Sequence, residues 1–150
     1  ETLMAKAPTE ETLDSSGGVK IFLRAWLPDI ETRAIVVICH GVNSHGGQYL
    51  WSGEQLSKAG FAVYALDLRG RGKSEGERFY VEEVADYVAD VAGTVKIAKQ
   101  RHPGLPLFLL GHSAGGVTSA VYTLDNQAEL GPLRVLVDRV AAGDAGEAAL

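Results

Sequence analysis

A single serine of this chain stands in a context that could support nucleophilic catalysis. Ser113 lies within Gly111-His112-Ser113-Ala114-Gly115-Gly116, which contains the pattern G-x-S-x-G. In a chain with eighteen glycines the bare pattern is weak evidence, because it arises by chance in roughly one chain in ten. Its setting is more informative: the apolar run Leu107 to Leu110 precedes it, and residues 114–126 follow with a helical pattern.

A serine at such a strand–turn–helix junction is placed for attack on a carbonyl carbon. The flanking glycines leave no Cβ to collide with strand or helix, so the turn can hold the serine in a strained backbone conformation. The serine oxygen then stands at the start of a helix, where backbone N–H groups stabilise a developing oxyanion. The sequence thus predicts Ser113 as a nucleophile, and the alternative is a tight glycine turn without chemistry.

The loop after the first apolar strand holds a second candidate feature, His40-Gly41 followed by Val42. Acyl transfer needs two oxyanion donors, the N–H after the nucleophile and one N–H from this loop. The backbone amides of Ala114 and Val42 are therefore predicted to form the oxyanion hole. His40 is expected to hydrogen-bond the loop and hold its shape rather than to act as a base.

The remaining histidines and the cysteine are weaker candidates. His45 is less suited to the role of base than His40. His112 is expected to point into the core, and His102, before Pro103, to lie on the surface. Cys39, the one cysteine, falls in a core strand and is interpreted as a packing residue rather than a nucleophile.

The segment from Asp67 to Ser74 imitates a phosphate-binding loop without matching one. Gly72-Lys73-Ser74 is the end of G-x-x-x-x-G-K-[ST], yet Asp67 occupies the position of the first glycine. Glu75 likewise breaks G-x-G-x-x-G, and the next helical pattern begins only near Tyr80. Nucleotide binding is therefore disfavoured.

The sequence also predicts the strands that would hold these candidate residues in place. Ala34 to Cys39, Phe61 to Leu66 and Leu107 to Leu110 are unbroken apolar runs, typical of strands buried on both faces of a parallel sheet. Lys20 to Leu27 alternates with a period of two, as an outer antiparallel strand does. Leu133 to Val137 is a possible fourth core strand.

Helical patterns fall between these strands. Residues 51–59 predict a short helix stopped by Gly60, and the apolar residues from Val81 to Val95 mark one helical face. The charged residues of that second helix are expected in solvent: Asp86, Asp90 and Lys96. The alternation predicts βαβ units, and hence an α/β fold with a mostly parallel sheet and helices on both faces.

Composition limits the classes of function. Of the 150 residues 46% are hydrophobic and 22% charged, which is enough for one globular core. A net charge of −5 without a basic stripe disfavours nucleic-acid binding, and a single cysteine excludes an internal disulfide or a cysteine-built zinc site. No apolar run approaches the ~18 residues of a transmembrane helix, and no cofactor or metal is implied. A cytoplasmic protein is expected.

The chain divides into three parts. Residues 1–18 are polar, end in Ser15-Ser16-Gly17-Gly18, and predict a flexible N-terminal arm. Residues 19–140 carry the α/β pattern. Residues 141–150 change character and form a tail rich in alanine and glycine.

Three segments agree in content and spacing with one known family: His40-Gly41 with Gly47-Gln48-Tyr49, Asp67 to Gly76 as Asp-x-x-Gly-x-Gly-x-Ser-x-Gly, and Pro103 to Gly116. Together they resemble the N-terminal half of an α/β-hydrolase, and more closely the monoacylglycerol lipase and lysophospholipase group. The resemblance implies an α/β-hydrolase fold over residues 19–140, truncated after about the strand that follows the nucleophile helix. It also implies a nucleophilic Ser113, oxyanion donors at Val42 and Ala114, and a small lipid or ester substrate.

One departure from the family pattern concerns the catalytic triad. In this fold the triad follows the order Ser, Asp/Glu, His, and none of the four histidines follows Ser113. The general base is therefore expected to be absent from these 150 residues, which leaves this chain alone weak or inactive. Asp138 is only a weak acid candidate, because it comes too early. Leu133 to Val137 is either an ordinary mid-sheet strand or a join between segments distant in the family, and the first is favoured.

Two functions follow from this sequence. By resemblance, the chain is a serine hydrolase that cleaves monoacylglycerol- or lysophospholipid-like esters through an acyl-enzyme on Ser113. The alternative is a non-catalytic fragment that acts as a binding or self-assembly module, because an unpaired edge strand of its sheet is a ready site for self-association.

Overall fold

The computed structural model describes residues 6–126 and the backbone of residues 133–138, which form a six-stranded sheet with three α-helices. The strands are β1 (Thr9–Asp14), β2 (Lys20–Trp26), β3 (Ala34–Cys39), β4 (Phe61–Leu66), β5 (Leu107–His112) and β6 (Leu133–Asp138). The helices are α1 (Leu50–Lys58), α2 (Val84–Arg101) and α3 (Ala114–Asp125), with short 3-10 turns at Ser16–Gly18 and Gly46–Tyr49. The strand order across the sheet is β1-β2-β4-β3-β5-β6.

The four strands β3 to β6 are parallel, as the alternation of strands and helices predicts. β3 pairs with β4 and β5, and β5 pairs with β6. The register sets Cys39 opposite Leu66 on one side and Gly111 on the other, so three strand ends meet at one edge of the sheet. β2 is antiparallel as predicted, but it lies between β1 and β4 rather than at the edge.

Apolar side chains alternate between the two faces of the sheet, and helices cover both faces. On β3, Ile35, Val37 and Cys39 pack in the cluster that contains residues of α2 and α3. Val36 and Ile38 pack in the opposite cluster, on the side of α1. Every residue of β3 is buried, as expected for a strand enclosed by two helix layers. The predicted α/β architecture is confirmed.

The predicted flexible arm over residues 1–18 is wrong for residues 9–14. These residues form β1, which pairs with β2 from Thr9 opposite Ala25 to Asp14 opposite Lys20. The polar composition conceals this strand, because Leu13 is its one buried apolar residue. β1 forms although it is polar, because the backbone of β2 supplies partners for its N–H and C=O groups.

α2 corrects a second prediction, since Asp90 is fully buried rather than solvated. Its carboxylate accepts hydrogen bonds from the Arg69 guanidinium (Nη2, 2.8 Å), the Arg69 amide (3.0 Å) and the Ser15 hydroxyl (2.6 Å). A buried carboxylate is tolerated where an opposite charge and hydrogen bonds replace its water. Of the other two charged residues, Lys96 is exposed and Asp86 is half-buried.

The predicted helix bounds agree with the structure for α1 and α3 to within one residue. Gly60, at φ +97°, follows α1 and ends it as predicted. α2 begins at Val84 rather than near Tyr80. None of the helices in the described residues is long and apolar enough to cross a membrane.

Gly53→Ala is expected to destabilise the chain although alanine favours helices. A Cβ at position 53 would lie 2.5 Å from Cδ2 of the buried Trp26 ring, against which α1 packs. Helix propensity favours alanine by about 1 kcal/mol, but overpacking against a rigid indole costs about 1–3 kcal/mol. Urea unfolding should show a net loss of stability.

Gly93→Ala in α2 is the matched control. A Cβ there would meet only Cδ1 of Leu13 at 3.0 Å, which is the end of a flexible side chain. Stability should stay unchanged or rise, because Leu13 can move aside while the helix gains propensity. Equal losses in the two variants would contradict the packing described for Trp26.

Candidate active site

Ser113 stands alone between β5, which ends at His112, and α3, which begins at Ala114. Its backbone has φ +57° and ψ −123°, and Phe79 is the only other non-glycine residue of positive φ in the described part of the chain. A left-handed φ at serine is strained and persists only where the surrounding structure enforces it. The junction therefore has the strand–turn–helix geometry that the sequence predicts.

The two glycines of G-x-S-x-G are required by space. A Cβ at Gly115 would lie 2.2 Å from the carbonyl oxygen of Cys39 and 2.3 Å from that of His40, both backbone atoms at the end of β3. A Cβ at Gly111 would lie 2.6 Å from the Gly115 carbonyl oxygen. Because no side chain fits, α3 approaches β3 backbone to backbone, and Ser113 is held beside the loop that follows β3.

That loop and Ser113 line a cavity of about 330 Å³. Its walls are Gly41, Val42, Asn43, Ser44, Gln48, His112 and Ser113. A second cavity, of about 290 Å³, shares Gln48 and His112 with the first and adds Tyr49 and Leu110. The structure thus brings Val42 and Ser113 together. Ala114 follows directly as the first residue of α3, where an amide has no acceptor within the helix.

His40 has the structural role that the sequence predicts. It is fully buried, its Nε2 accepts a hydrogen bond from the Leu68 amide (2.9 Å), and its Nδ1 donates to the Gly41 carbonyl (2.7 Å). Burial lowers the pKa of His40, because the charged imidazolium would lose its hydration. With both ring nitrogens occupied and no exposed surface, His40 is not a general base for Ser113.

Two other histidines differ from prediction. His112 is half-buried and lines both cavities instead of pointing into the core, because it shares the face of β5 on which Leu110 is also only half-buried. His102 is not a plain surface residue, since its Nε2 lies 2.8 Å from the Tyr64 hydroxyl. The third, His45, caps the 3-10 turn Gly46–Tyr49. Its Nδ1 accepts a hydrogen bond from the Gly47 amide at 3.0 Å.

The residues that imitate a phosphate loop are used inside the protein. The Lys73 amide donates to Asp67 Oδ2 (2.9 Å). The Ser74 hydroxyl donates to the Asp67 carbonyl and accepts from the Phe22 amide (2.8 Å). No helix follows the segment directly, since α2 begins at Val84. These contacts agree with the rejection of nucleotide binding.

Within the described residues, Cys39 is not suited to be a nucleophile. Cys39 is fully buried, and burial raises the pKa of its thiol to about 12, which suits a packing residue. Across residues 6–126, no three His, Cys, Asp or Glu side chains are grouped closely enough to hold a metal ion.

A buried ion pair between β2 and the segment after β4 is not predicted from the sequence. Arg24 Nη1 lies 2.9 Å from Asp67 Oδ1, and both side chains are almost fully buried. The sequence contains a signal for this pair. Arg24 shares one face of the predicted strand with Phe22 and Trp26, where burying an unpaired guanidinium would be costly. Gln48, which lines both cavities, falls within the motif Gly47-Gln48-Tyr49, but its place in the cavity walls is not predicted from the sequence.

β6 pairs in parallel with β5 and ends the strand order of the described residues. Both interpretations of its sequence, an ordinary mid-sheet strand and a join between distant segments, allow this pairing. The register sets Asp138 opposite His112, one residue before Ser113. The side chain of Asp138 and the predicted tail at 141–150 lie outside the described residues.

Comparison with known proteins identifies the family. The family described as "Serine aminopeptidase, S33" matches residues 30–137, which is most of the chain. The chain belongs to this family. The monoacylglycerol lipase of Mycolicibacterium smegmatis is 39% identical to this chain over 114 residues. The matched residues are 76% of this chain and 41% of that protein. The human monoglyceride lipase is 38% identical over 104 residues, or 69% of this chain and 34% of that protein.

Solved structures agree with this family. A carboxyl esterase from Bacillus coagulans in complex with glycerol superposes on this chain with a TM-score of 0.76 at 27% identity. The superposition covers 87% of this chain and 44% of the esterase. The resemblance to α/β-hydrolases of the monoacylglycerol lipase group is confirmed. It spans between about one third and two fifths of the length of the two lipases.

Acidification from pH 7.5 to 5.5 is expected to lower the free energy of unfolding. The pKa values of His40 and His102 are lowered in the folded chain, chiefly by burial. Below the ordinary histidine pKa of about 6.5, the unfolded chain takes up protons that the folded chain does not bind. One proton gives a loss of at most about 1.4 kcal/mol per pH unit, and urea unfolding at both pH values measures it.

His40→Asn separates this effect from a general loss of stability. The variant should be less stable at both pH values, yet its stability should depend less on pH over this range. His102→Asn should change the pH dependence less, because that ring is partly exposed. An unaltered pH dependence in His40→Asn would show that His40 is not the group that resists protonation.

Proposed function

We propose that Ser113 is the nucleophile of a cytoplasmic carboxylic ester hydrolase that acts on monoacylglycerol- or lysophospholipid-like substrates. One observation carries the proposal: a serine at φ +57° between a strand and a helix shares a cavity with Val42 of the loop after β3. A strained serine beside an open cavity is placed to meet a carbonyl carbon. The similarity to a monoacylglycerol lipase and a monoglyceride lipase supports a small lipid ester as substrate.

The reaction proceeds through an acyl-enzyme. Ser113 Oγ attacks the ester carbonyl carbon while its proton passes to a base, and a tetrahedral intermediate forms. The amides of Val42 and Ala114 donate hydrogen bonds to the oxyanion of that intermediate. Collapse of the intermediate breaks the bond to the alcohol, which leaves with the proton from the base. Water then hydrolyses the acyl-enzyme to the free acid.

The general base is assigned to residues outside these 150. His40 is buried with both nitrogens bonded, and no histidine follows Ser113. The chain spans only 41% and 34% of the length of the two lipases, which supports this assignment. Asp138 is only a weak candidate for the triad acid, because it follows Ser113 too closely in the chain, although its backbone pairs with His112 at the end of β5.

Hydrolysis of p-nitrophenyl butyrate tests the role of Ser113. For this chain alone, the wild type and Ser113→Ala should be about equally slow, because triad members act together and the base is missing. A hybrid enzyme, in which the 114 matched residues replace their counterpart in the Mycolicibacterium smegmatis lipase, should be active. In the hybrid, Ser113→Ala should lower kcat by at least about 10³-fold.

Ser52→Ala is the matched control. Ser52 lies on α1 and lines neither cavity at Ser113, so its variant should keep the kcat of the hybrid. Monoacylglycerol as substrate should respond in the same way as the chromogenic ester. A folded hybrid that turns over equally well without the Ser113 hydroxyl would refute the assignment. Turnover by the 150-residue chain that depends on Ser113 would show instead that a base is present within it.

Self-association is a second candidate function, favoured by the position of β6. Within the described residues β6 ends the strand order, and no strand pairs with its outer side. Unpaired N–H and C=O groups along such an edge can pair with a second copy of the chain. Size-exclusion chromatography should then show a dimer, whereas a monomer would count against this candidate.

A further inference from the structure

The loop that carries Val42 is attached at both ends to two consecutive residues of another loop. At its start, His40 Nε2 accepts a hydrogen bond from the Leu68 amide at 2.9 Å. At its end, the Gly46 amide donates to Asp67 Oδ1 at 2.6 Å. Asp67 and Leu68 directly follow β4, the strand that pairs with β3. Residues 41–46, hereafter the oxyanion loop, therefore span two fixed points beside one strand end.

The attachment at Asp67 involves a charged acceptor that is itself held in place. The carboxylate is fully buried, and its Oδ1 also accepts from Arg24 Nη1 at 2.9 Å. Its Oδ2 accepts from the Lys73 amide at 2.9 Å. Hydrogen bonds to an ionised group are shorter and about twice as strong as those between neutral groups. The carboxylate is thus fixed by β2 and by its own loop, and from there it holds Gly46.

The residue at the end of the oxyanion loop is suited to this contact. A Cβ at Gly46 would lie 2.9 Å from Asp67 Oδ1 and 3.1 Å from the carbonyl oxygens of Ala65 and Leu66. Any larger residue would push the loop away from the end of β4. Glycine therefore lets the amide reach the carboxylate.

We propose that Asp67 is a positioning residue of this site: its carboxylate holds Gly46 and thereby sets the place of the Val42 amide beside Ser113. The inference rests on the proposed function, because Val42 is an oxyanion donor only if Ser113 is a nucleophile. Asp67 lines neither cavity at Ser113, so it acts through the loop. Loss of one oxyanion donor slows acyl transfer by about 10²–10³-fold, and a loosened loop should lose a measurable part of that.

Amide hydrogen exchange of the full 150-residue chain tests the attachment without any activity. In the wild type, the Gly46 amide should be among the slowest to exchange in residues 41–46. Asp67→Ala should speed exchange of the oxyanion loop by at least about tenfold relative to the amides of β3, because its anchor is lost. Asp67→Asn keeps the size and one acceptor oxygen, so it should act in the same direction with a smaller effect.

Asp90→Ala is the matched control. Asp90 is equally buried and also pairs with an arginine near the same segment, but its carboxylate contacts Arg69 and Ser15 rather than the oxyanion loop. Its variant should lose stability while the exchange of residues 41–46 keeps its ratio to that of β3. A purely structural role for Asp67 predicts the same result for both variants.

The rate at which a fluorophosphonate labels Ser113 tests the catalytic consequence. The hybrid enzyme with the Mycolicibacterium smegmatis lipase supplies the missing base, so the same substitutions are compared in that enzyme. Asp67→Ala should label Ser113 at least about tenfold more slowly than the wild type, and Asp90→Ala should not. The phosphoryl oxygen of the probe occupies the position of the oxyanion, so the rate reports on the donors.

The outcomes separate the two proposals. A fast-exchanging Gly46 amide in the wild type, or equal effects of Asp67→Ala and Asp90→Ala, overturns the positioning role. If neither Asp67 variant folds, the wild-type exchange of Gly46 still decides. A slow Gly46 amide with no labelling of Ser113 in the wild-type hybrid enzyme overturns the proposed function instead. Faster exchange together with slower labelling in Asp67→Ala alone supports both.

Discussion

The backbone contact between α3 and the end of β3 is the constraint on which the site depends. β3 and β5 are adjacent parallel strands, so the chain leaving β5 must turn back over β3 within one residue. Gly115 lies too close to the Cys39 carbonyl for any side chain, and the turn forces Ser113 to positive φ. The strain at Ser113 is therefore maintained by the packing of α3 against β3. The same packing brings the serine beside the loop after β3.

Two buried carboxylates give the irregular segment after β4 a defined shape. Asp67 pairs with Arg24 of β2, and Asp90 of α2 pairs with Arg69 of the segment itself. Burying such charges brings little net stability, because desolvation offsets much of the attraction. Misplacing one partner is costly, however, since it leaves an uncompensated charge in the interior. The Asp67 pair thus favours one arrangement of the residues to which the oxyanion loop is attached through Gly46, whereas the Asp90 pair fixes Arg69 to α2 and to Ser15.

Much of the fold could be predicted because local patterns determine it. Burial of β3 on both faces is visible as an unbroken apolar run, and the spacing around Ser113 indicates a strand, a turn and a helix. β1 could not be predicted, because its pairing depends on the edge of β2 and not on its own composition. The burial of Asp90 was hidden for a related reason: it needs Arg69 and Ser15, which are distant in sequence.

By itself, the sequence determined most of the elements, their order and the strand–turn–helix setting of Ser113, because periodicity and the glycines around Ser113 are local properties. The tertiary structure decided which side chains meet. It occupied both nitrogens of His40, turned His112 toward the cavities, and joined Asp67 to Gly46. These outcomes depend on how strand ends align across the sheet and on where a buried charge can find a partner. Both are distances between residues far apart in the chain, which no local pattern contains.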